Sequence, residues 1–243
     1  RLKIAEMNTI ALTSLVADAL SLGSHWIYDQ EEIEARYAGV TGYSNPGTSY
    51  HPGKQAGDFT HYGDQAMVLL RTLALHEHFD LSSFASEWRA FWEDHETKSY
   101  RDGATKATLA NLQSGLPPAL AASPSNDIAG ASRIAPLFLL KWETDNDLIA
   151  AARAQTSLTH GDPAVVEAAE FFTRVTLAVR GGIAIPEALR AAVPLAAWNA
   201  IPSDWFEAAL ASSASAVTDS FAIRAHGLTC HVPEAFPAVC HLL

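Results

Sequence analysis

Apolar residues recur along this chain at intervals of three and four, the spacing of helix faces. In the run Gln65, Ala66, Val68, Leu69, Thr72, Leu73 and Leu75 they predict a helix buried on most of its surface. Another predicted helix spans Pro163 to Arg180. Asp162 is placed to cap it, Pro163 suits its first position, and Gly181-Gly182 ends it. The same reading predicts helices at 5–22, 29–37, 81–95, 103–114, 129–142, 146–157, 186–197, 203–212 and 216–225. Hairpin signals and β-branched runs are scarce. The expected fold is all-α, one compact multi-helix domain over residues 1–243.

The longest stretch without helical spacing runs from Ala38 to about Tyr62. It combines five glycines and two prolines with Tyr43, Tyr50, His51, Phe59, His61 and Tyr62. Linkers that stay unfolded are poor in aromatics, so this segment reads as an ordered loop lining a site. Pro117 to Asn126, rich in Pro, Ala and Ser, reads as a plain connector. The N-terminal apolar stretch Ile10 to Leu22 carries Asp18 in its middle and falls short of the roughly 20 residues a membrane span needs. The last residues, Phe236 to Leu243, are largely apolar; we expect the chain to be part of a longer protein that continues beyond them.

Composition narrows the function. The 243 residues are 49% hydrophobic and 18% charged, which is globular rather than disordered, and a net charge of −11 excludes a nucleic-acid or anionic-membrane partner as the main ligand. Cys230 and Cys240 are too few for a disulfide framework, so a cytoplasmic location is expected. C-x-x-C, P-loop, G-x-G-x-x-G, G-x-S-x-G and Glu-x-x-His patterns are all absent. His76-Glu77-His78 puts its histidines on different helix faces and reads as a solvated helix end.

Polar residues gather in four places. Asp18 lies inside an apolar helix, near His25, Trp26, Tyr28 and Asp29; a carboxylate there needs a cation, a metal, or donors such as a neighbouring helix start. Asp58, His61, Tyr62, Asp64 and Gln65 fall within eight positions, a set able to ligate a hard cation or transfer protons. Around Asn126 to Pro136, Gly130, Ser132 and Arg133 suit either a phosphate cradle or a tightly packed, capped helix start. In Thr159-His160-Gly161-Asp162-Pro163, Asp162 is a cap and His160 is open to either role.

In this order the four places resemble the ADP-ribosylglycohydrolase family, an all-α family that includes the J1 crystallins. The family's G-D-A-L-G segment is similar to Ala17-Asp18-Ala19-Leu20-Ser21, and its N-G-A-x-M-R-x-A-P-L segment to Ala129 through Leu137. T-H-x-D-P is present as Thr159 to Pro163. The segment Gly227 to Pro237 resembles the helix before the family's last metal motif. The T-D-D-T metal motif falls on Tyr62, Gly63, Asp64 and Gln65, so Asp64 is its matched carboxylate. Ser24 to Asp29, with Asp58 to Gln65, resembles the J1-crystallin-like branch.

The resemblance implies a hydrolase cleaving a glycosidic bond to ADP-ribose or a related nucleotide sugar. Its partner would be an ADP-ribose-like small molecule or an ADP-ribosylated substrate. Asp18, His25, Asp58 and His61 would be catalytic. Tyr62, Gln65, Gly130, Ser132, Arg133 and His160 would bind substrate, and Asp64 would hold metal. Mg²⁺ is the implied cofactor, with a site incomplete in this chain. The alternative is a non-catalytic, crystallin-like or nucleotide-sugar-binding relative.

Overall fold

The computed structural model describes residues 4–193 and 199–243, with side chains from Thr9 onward. Among these there is no strand; two isolated bridges, Ser123 with His160 and Asp127 with His231, are the extended pairings. The fold is all-α. Contacts divide it into two compact units, Arg1–Pro118 with Ala135–Lys141, and Ala119–Ile134 with Trp142–Leu243. No helix among the described residues is long and apolar enough to cross a membrane.

The first unit contains α1 (Ile4–Ser21), α2 (Gln30–Tyr37), α3 (His61–His76), α4 (Leu81–Glu93), α5 (Gly103–Gln113) and a 3-10 helix, Ala135–Leu139. Helix α3 packs on α4, on α1 and on that 3-10 helix. Leu22, Leu69, Phe84, Trp88, Trp92, Leu137 and Phe138 lose essentially all solvent contact and form its core. Carboxylates and hydroxyls start the helices: Asp29 for α2, Thr60 for α3, Asp80 for α4 and Asp102 for α5. His76 ends α3, and Glu77 closes it in the left-handed conformation with its N–H on the Leu73 carbonyl.

In the second unit α7 (Pro163–Arg180) packs against α6 (Asp145–Ser157), α8 (Ile185–Ala192) and α11 (Val232–Leu242), which in turn packs on α9 (Ser203–Ser213) and α10 (Asp219–His226). Asp162 caps α7 through the amides of Ala164 and Val165, with Pro163 first in the helix as its sequence predicts. Val165, Ala168, Ala169, Phe171, Phe206 and Phe236 are the centre of its core. Phe171 meets the edges of Phe206 and Phe236 at 5.9 and 5.2 Å.

The expected helix over 129–142 is not present. Two 3-10 helices, Ile128–Arg133 and Ala135–Leu139, stand there instead. Pro136 has no N–H to donate, so an α-helical hydrogen-bond ladder cannot run through it, and Gly130 weakens the turn before it. The helix expected at 216–225 starts later, at Asp219, after the Thr218 cap. The end of the helix predicted at 186–197 falls outside the described residues.

Candidate active site

The residues singled out in the first unit converge on the N-terminus of α3. Its free amides are met by Asp18 of α1. The Thr60 N–H donates to Asp18 Oδ2 at 2.8 Å, while the Thr60 hydroxyl and the Gly63 N–H donate to Oδ1 at 2.6 and 3.0 Å. This resolves the choice left by the sequence: Asp18 caps a neighbouring helix, satisfying the burial requirement with donors. Burial pushes its carboxyl above the ordinary range, against the pull of Thr60 and Gly63, and the charge of Asp64 adds to the rise. Gly63 leaves room for this cap: a Cβ on it would stand 2.2 Å from Asp18 Oδ2, and the carboxylate would have to shift.

One residue further along α3, Asp64 pairs with Lys54. The Lys54 ammonium contacts Asp64 Oδ2 and donates to the Phe59 carbonyl at 2.7 Å. Both side chains are largely buried, 7% and 16% exposed. Lys54 is aimed by a turn in which its N–H donates to the His51 carbonyl and Gly53 takes a positive φ of 74°. Asp58 closes the next turn, its Oδ2 accepting the Gln55 N–H at 2.8 Å. Lys54, Asp58 and Asp64 line a cleft of about 380 Å³ together with Phe91, Glu96 and Lys98.

The rings of the loop collect in one cluster. His25 Nδ1 and His51 Nε2 are 3.0 Å apart and share a hydrogen bond. Burial, with the charges of His61 and His51, pulls the His25 imidazole down to about 3; burial, His61 and Lys54 bring His51 to about 4. Both are neutral at physiological pH. His61 is fully buried, with Nε2 on Asp102 Oδ2 at 3.2 Å and Nδ1 unpartnered. Burial pushes the Asp102 carboxyl up, but the His61 hydrogen bond and charge, with the Thr105 bonds, hold it well below the usual range. Trp26 stacks on His25 and His51 and meets Tyr50 and Tyr100 edge-on, each at 4.9 Å. It holds a left-handed backbone, φ 63°, which costs a non-glycine residue on the order of 1–3 kcal/mol. Tyr62 lies against His61 at 3.8 Å.

Gln65 does not face the cleft. It is buried, and its Oε1 accepts the Trp88 indole N–H at 2.8 Å. The other expected substrate contacts belong to the second unit and form a structural network. Arg133 is 1% exposed, and its guanidinium donates to Gln155 Oε1, the Gln155 carbonyl and Thr159 Oγ1 at 3.0, 3.0 and 2.7 Å. A buried cation needs such acceptors, so its fork is spent inside the fold rather than held out to phosphates. Gly130 lies under the His160 ring, where a Cβ would meet it at 2.9 Å, and its carbonyl accepts from Gln155 and Thr156. His160 is buried beside Thr159, with 2.8 Å between Nδ1 and Oγ1. Ser132 is exposed and turns back to the Ala129 carbonyl.

The model of the ADP-ribosylglycohydrolase family matches residues 10–243. The chain belongs to that family. Among solved structures, an ADP-ribosylglycohydrolase-related protein complex aligns with a TM-score of 0.65 at 19% identity, over 98% of this chain and 80% of that one. At that identity the likeness is one of fold. No curated protein sequence matches significantly.

Family membership raises the question of Mg²⁺, and the donor set in this ADP-ribosylglycohydrolase-family chain does not fit it. A hard divalent ion takes about six oxygen ligands, carboxylates prominent among them. Asp64 is held by Lys54, Asp58 by the Gln55 amide, and both oxygens of Asp18 by Thr60 and Gly63. Among the described residues no three His, Cys, Asp or Glu side chains are grouped to hold a metal ion.

The sequence reading missed Lys54, Lys98, Tyr100 and Asp102. Asp102 had a signal, since it stands before Gly103-Ala104-Thr105 as a cap does. Its partner is 41 positions away, and spacing does not show that.

Proposed function

We propose that this protein is a glycohydrolase-like member of its family, acting on ADP-ribose or an ADP-ribosyl substrate at the cleft of the first unit. The observation that carries the reading is the lining of that cleft: Asp58 and Asp64 face the same space as Lys54 and Lys98. Cleavage of a glycosyl bond needs a carboxylate to activate water and negative charge near the oxocarbenium-like carbon. A diphosphate needs cations. In this reading Asp58 takes a proton from the attacking water and passes it to the leaving group, Asp64 holds Lys54 at the wall of the cleft, and the exposed Lys98 meets a phosphate. Asp18 and His61 position these groups, Asp18 by fixing the start of α3 and His61 through Asp102. None of the steps uses Mg²⁺. The likeness of Ser24 to Asp29 and Asp58 to Gln65 to the J1-crystallin-like branch supports a proposal of membership in it, and a cytoplasmic location belongs to the same proposal.

The test is release of ADP-ribose from ADP-ribosyl-arginine and ADP-ribosyl-serine peptides by purified protein. Turnover that is lost in Asp58→Asn, with calorimetric ADP-ribose binding retained, supports the reading. No release from either peptide, or release unchanged in both Asp58→Asn and Asp64→Asn, overturns it. The Lys54–Asp64 pair favours a second reading, a non-catalytic relative, because a carboxylate held by an ammonium is less available for chemistry. That reading expects ADP-ribose binding without turnover.

A further inference from the structure

We infer that Lys54 is the resident cation of the cleft, standing at Asp64 in place of a divalent metal ion. Four observations carry this. The Lys54 ammonium is in contact with Asp64 Oδ2 and the Phe59 carbonyl, both of them oxygens of the kind a hard cation takes. The pair is largely sheltered from water, so a metal ion entering at Asp64 would sit beside a charge of its own sign with little screening. Position 63, next to Asp64, is a glycine packed on Asp18, where any Cβ would stand 2.2 Å from Oδ2 and displace that carboxylate. The turn His51-Pro52-Gly53-Lys54, with its positive-φ glycine, fixes the backbone that delivers the ammonium. A lysine placed this way does one part of a metal's work, neutralising the carboxylate and presenting positive charge to an anion. Its one remaining N–H can donate to an anion, but an ammonium has no open coordination site at which to ionise a bound water. The cleft therefore takes its ligand without a divalent ion. The inference concerns the same cleft as the proposed hydrolysis but does not need turnover, and its test reads metal occupancy and stability alone.

The experiment is a Mn²⁺ titration of the purified chain followed by electron paramagnetic resonance, with thermal midpoints measured in EDTA, in Mg²⁺ and without additive. Wild type is expected to bind no stoichiometric Mn²⁺ at millimolar concentration, and its midpoint to be the same in all three conditions. Lys54→Ala is expected to lower the midpoint by several degrees. Adding n-propylammonium then raises it, because it restores a cation to Asp64. One Mn²⁺ bound per wild-type chain and displaced by Mg²⁺, or a midpoint that falls in EDTA, overturns the inference. So does a Lys54→Ala variant as stable as wild type. Should Lys54→Ala fail to fold, Lys54→Arg, which keeps the charge, is expected to remain folded and blind to EDTA; EDTA sensitivity in that variant also overturns it.

Discussion

Replacing Gly63 by alanine probes how the start of α3 is held. The added Cβ would lie 2.2 Å from Asp18 Oδ2, 2.6 Å from its Cγ and 2.9 Å from Phe59 Cβ. Something must move, and the nearest atoms belong to a carboxylate fixed by three donors. Overpacking of this kind costs about 1–3 kcal/mol. Shifting Asp18 also forfeits part of a cap worth about 1 kcal/mol. Against this, alanine gains ~1 kcal/mol over glycine inside a helix. The expected net loss for Gly63→Ala is about 1–3 kcal/mol. Asp18→Ala alone removes a charged acceptor from two amides and a hydroxyl, and is expected to cost about 2–3 kcal/mol. In the Asp18→Ala background the clash is gone apart from the Phe59 contact, so Gly63→Ala becomes close to neutral. The coupling between the two sites is therefore about 1–3 kcal/mol, whereas independent sites add within about 0.5 kcal/mol. Urea unfolding of the four proteins, followed by far-ultraviolet circular dichroism, measures it. Additive losses would refute the claim that Asp18 and Gly63 share one space.

Acidification gives a second test. Burial holds the His25 and His51 imidazoles down to about 3 and about 4, against the ordinary value near 6.5. Between those values the unfolded chain carries protons that the folded one lacks, so stability falls as pH drops from about 6.5 towards 4. His51→Gln is expected to flatten that fall in urea midpoints measured at several pH values, and an unchanged slope would count against it. In the second unit, the two oxygens of Glu167 accept the amides of Asn199, Ala200 and Ile201 at 2.8–3.1 Å. Glu167→Ala leaves the Ile201 amide buried without its acceptor and is expected to cost about 3 kcal/mol. The exposed Glu187→Ala is the control, expected to stay within about 0.5 kcal/mol of wild type in the same unfolding assay.

What the sequence showed depended on how local the physics was. Helix α7 was legible to the residue because Asp162, Pro163 and the apolar spacing that follows are all neighbours in the chain. The segment 129–142 looked helical by its apolar content, and the local break at Pro136 was given too little weight. The candidate site divided the same way. Asp18, His25, Asp58, His61 and Asp64 were visible as polar residues in apolar or loop surroundings, and the structure gathers them around the start of α3. Their partners were not visible. Lys54 reaches Asp64 across a loop, and Asp102 reaches His61 from another helix start. For Arg133 the small neighbours suit a phosphate fork and a tightly packed helix start equally, and only the buried acceptors on Gln155 and Thr159 decide between them.

The ring cluster also gives the molecule an optical handle. Of its six tryptophans, Trp26 is the one seen stacked on imidazoles among the described residues, with Tyr50 and Tyr100 set across it at about right angles. A neutral imidazole leaves indole emission nearly intact, whereas a protonated one accepts an electron from the excited ring and darkens it. Emission from this one indole therefore reports the protonation of its own neighbours, and the fixed perpendicular tyrosines lend it a near-ultraviolet dichroism that vanishes when the loop lets go. Loosening of the loop can thus be followed by light, without a label, while Trp88 and Trp92 in the core still report a folded protein.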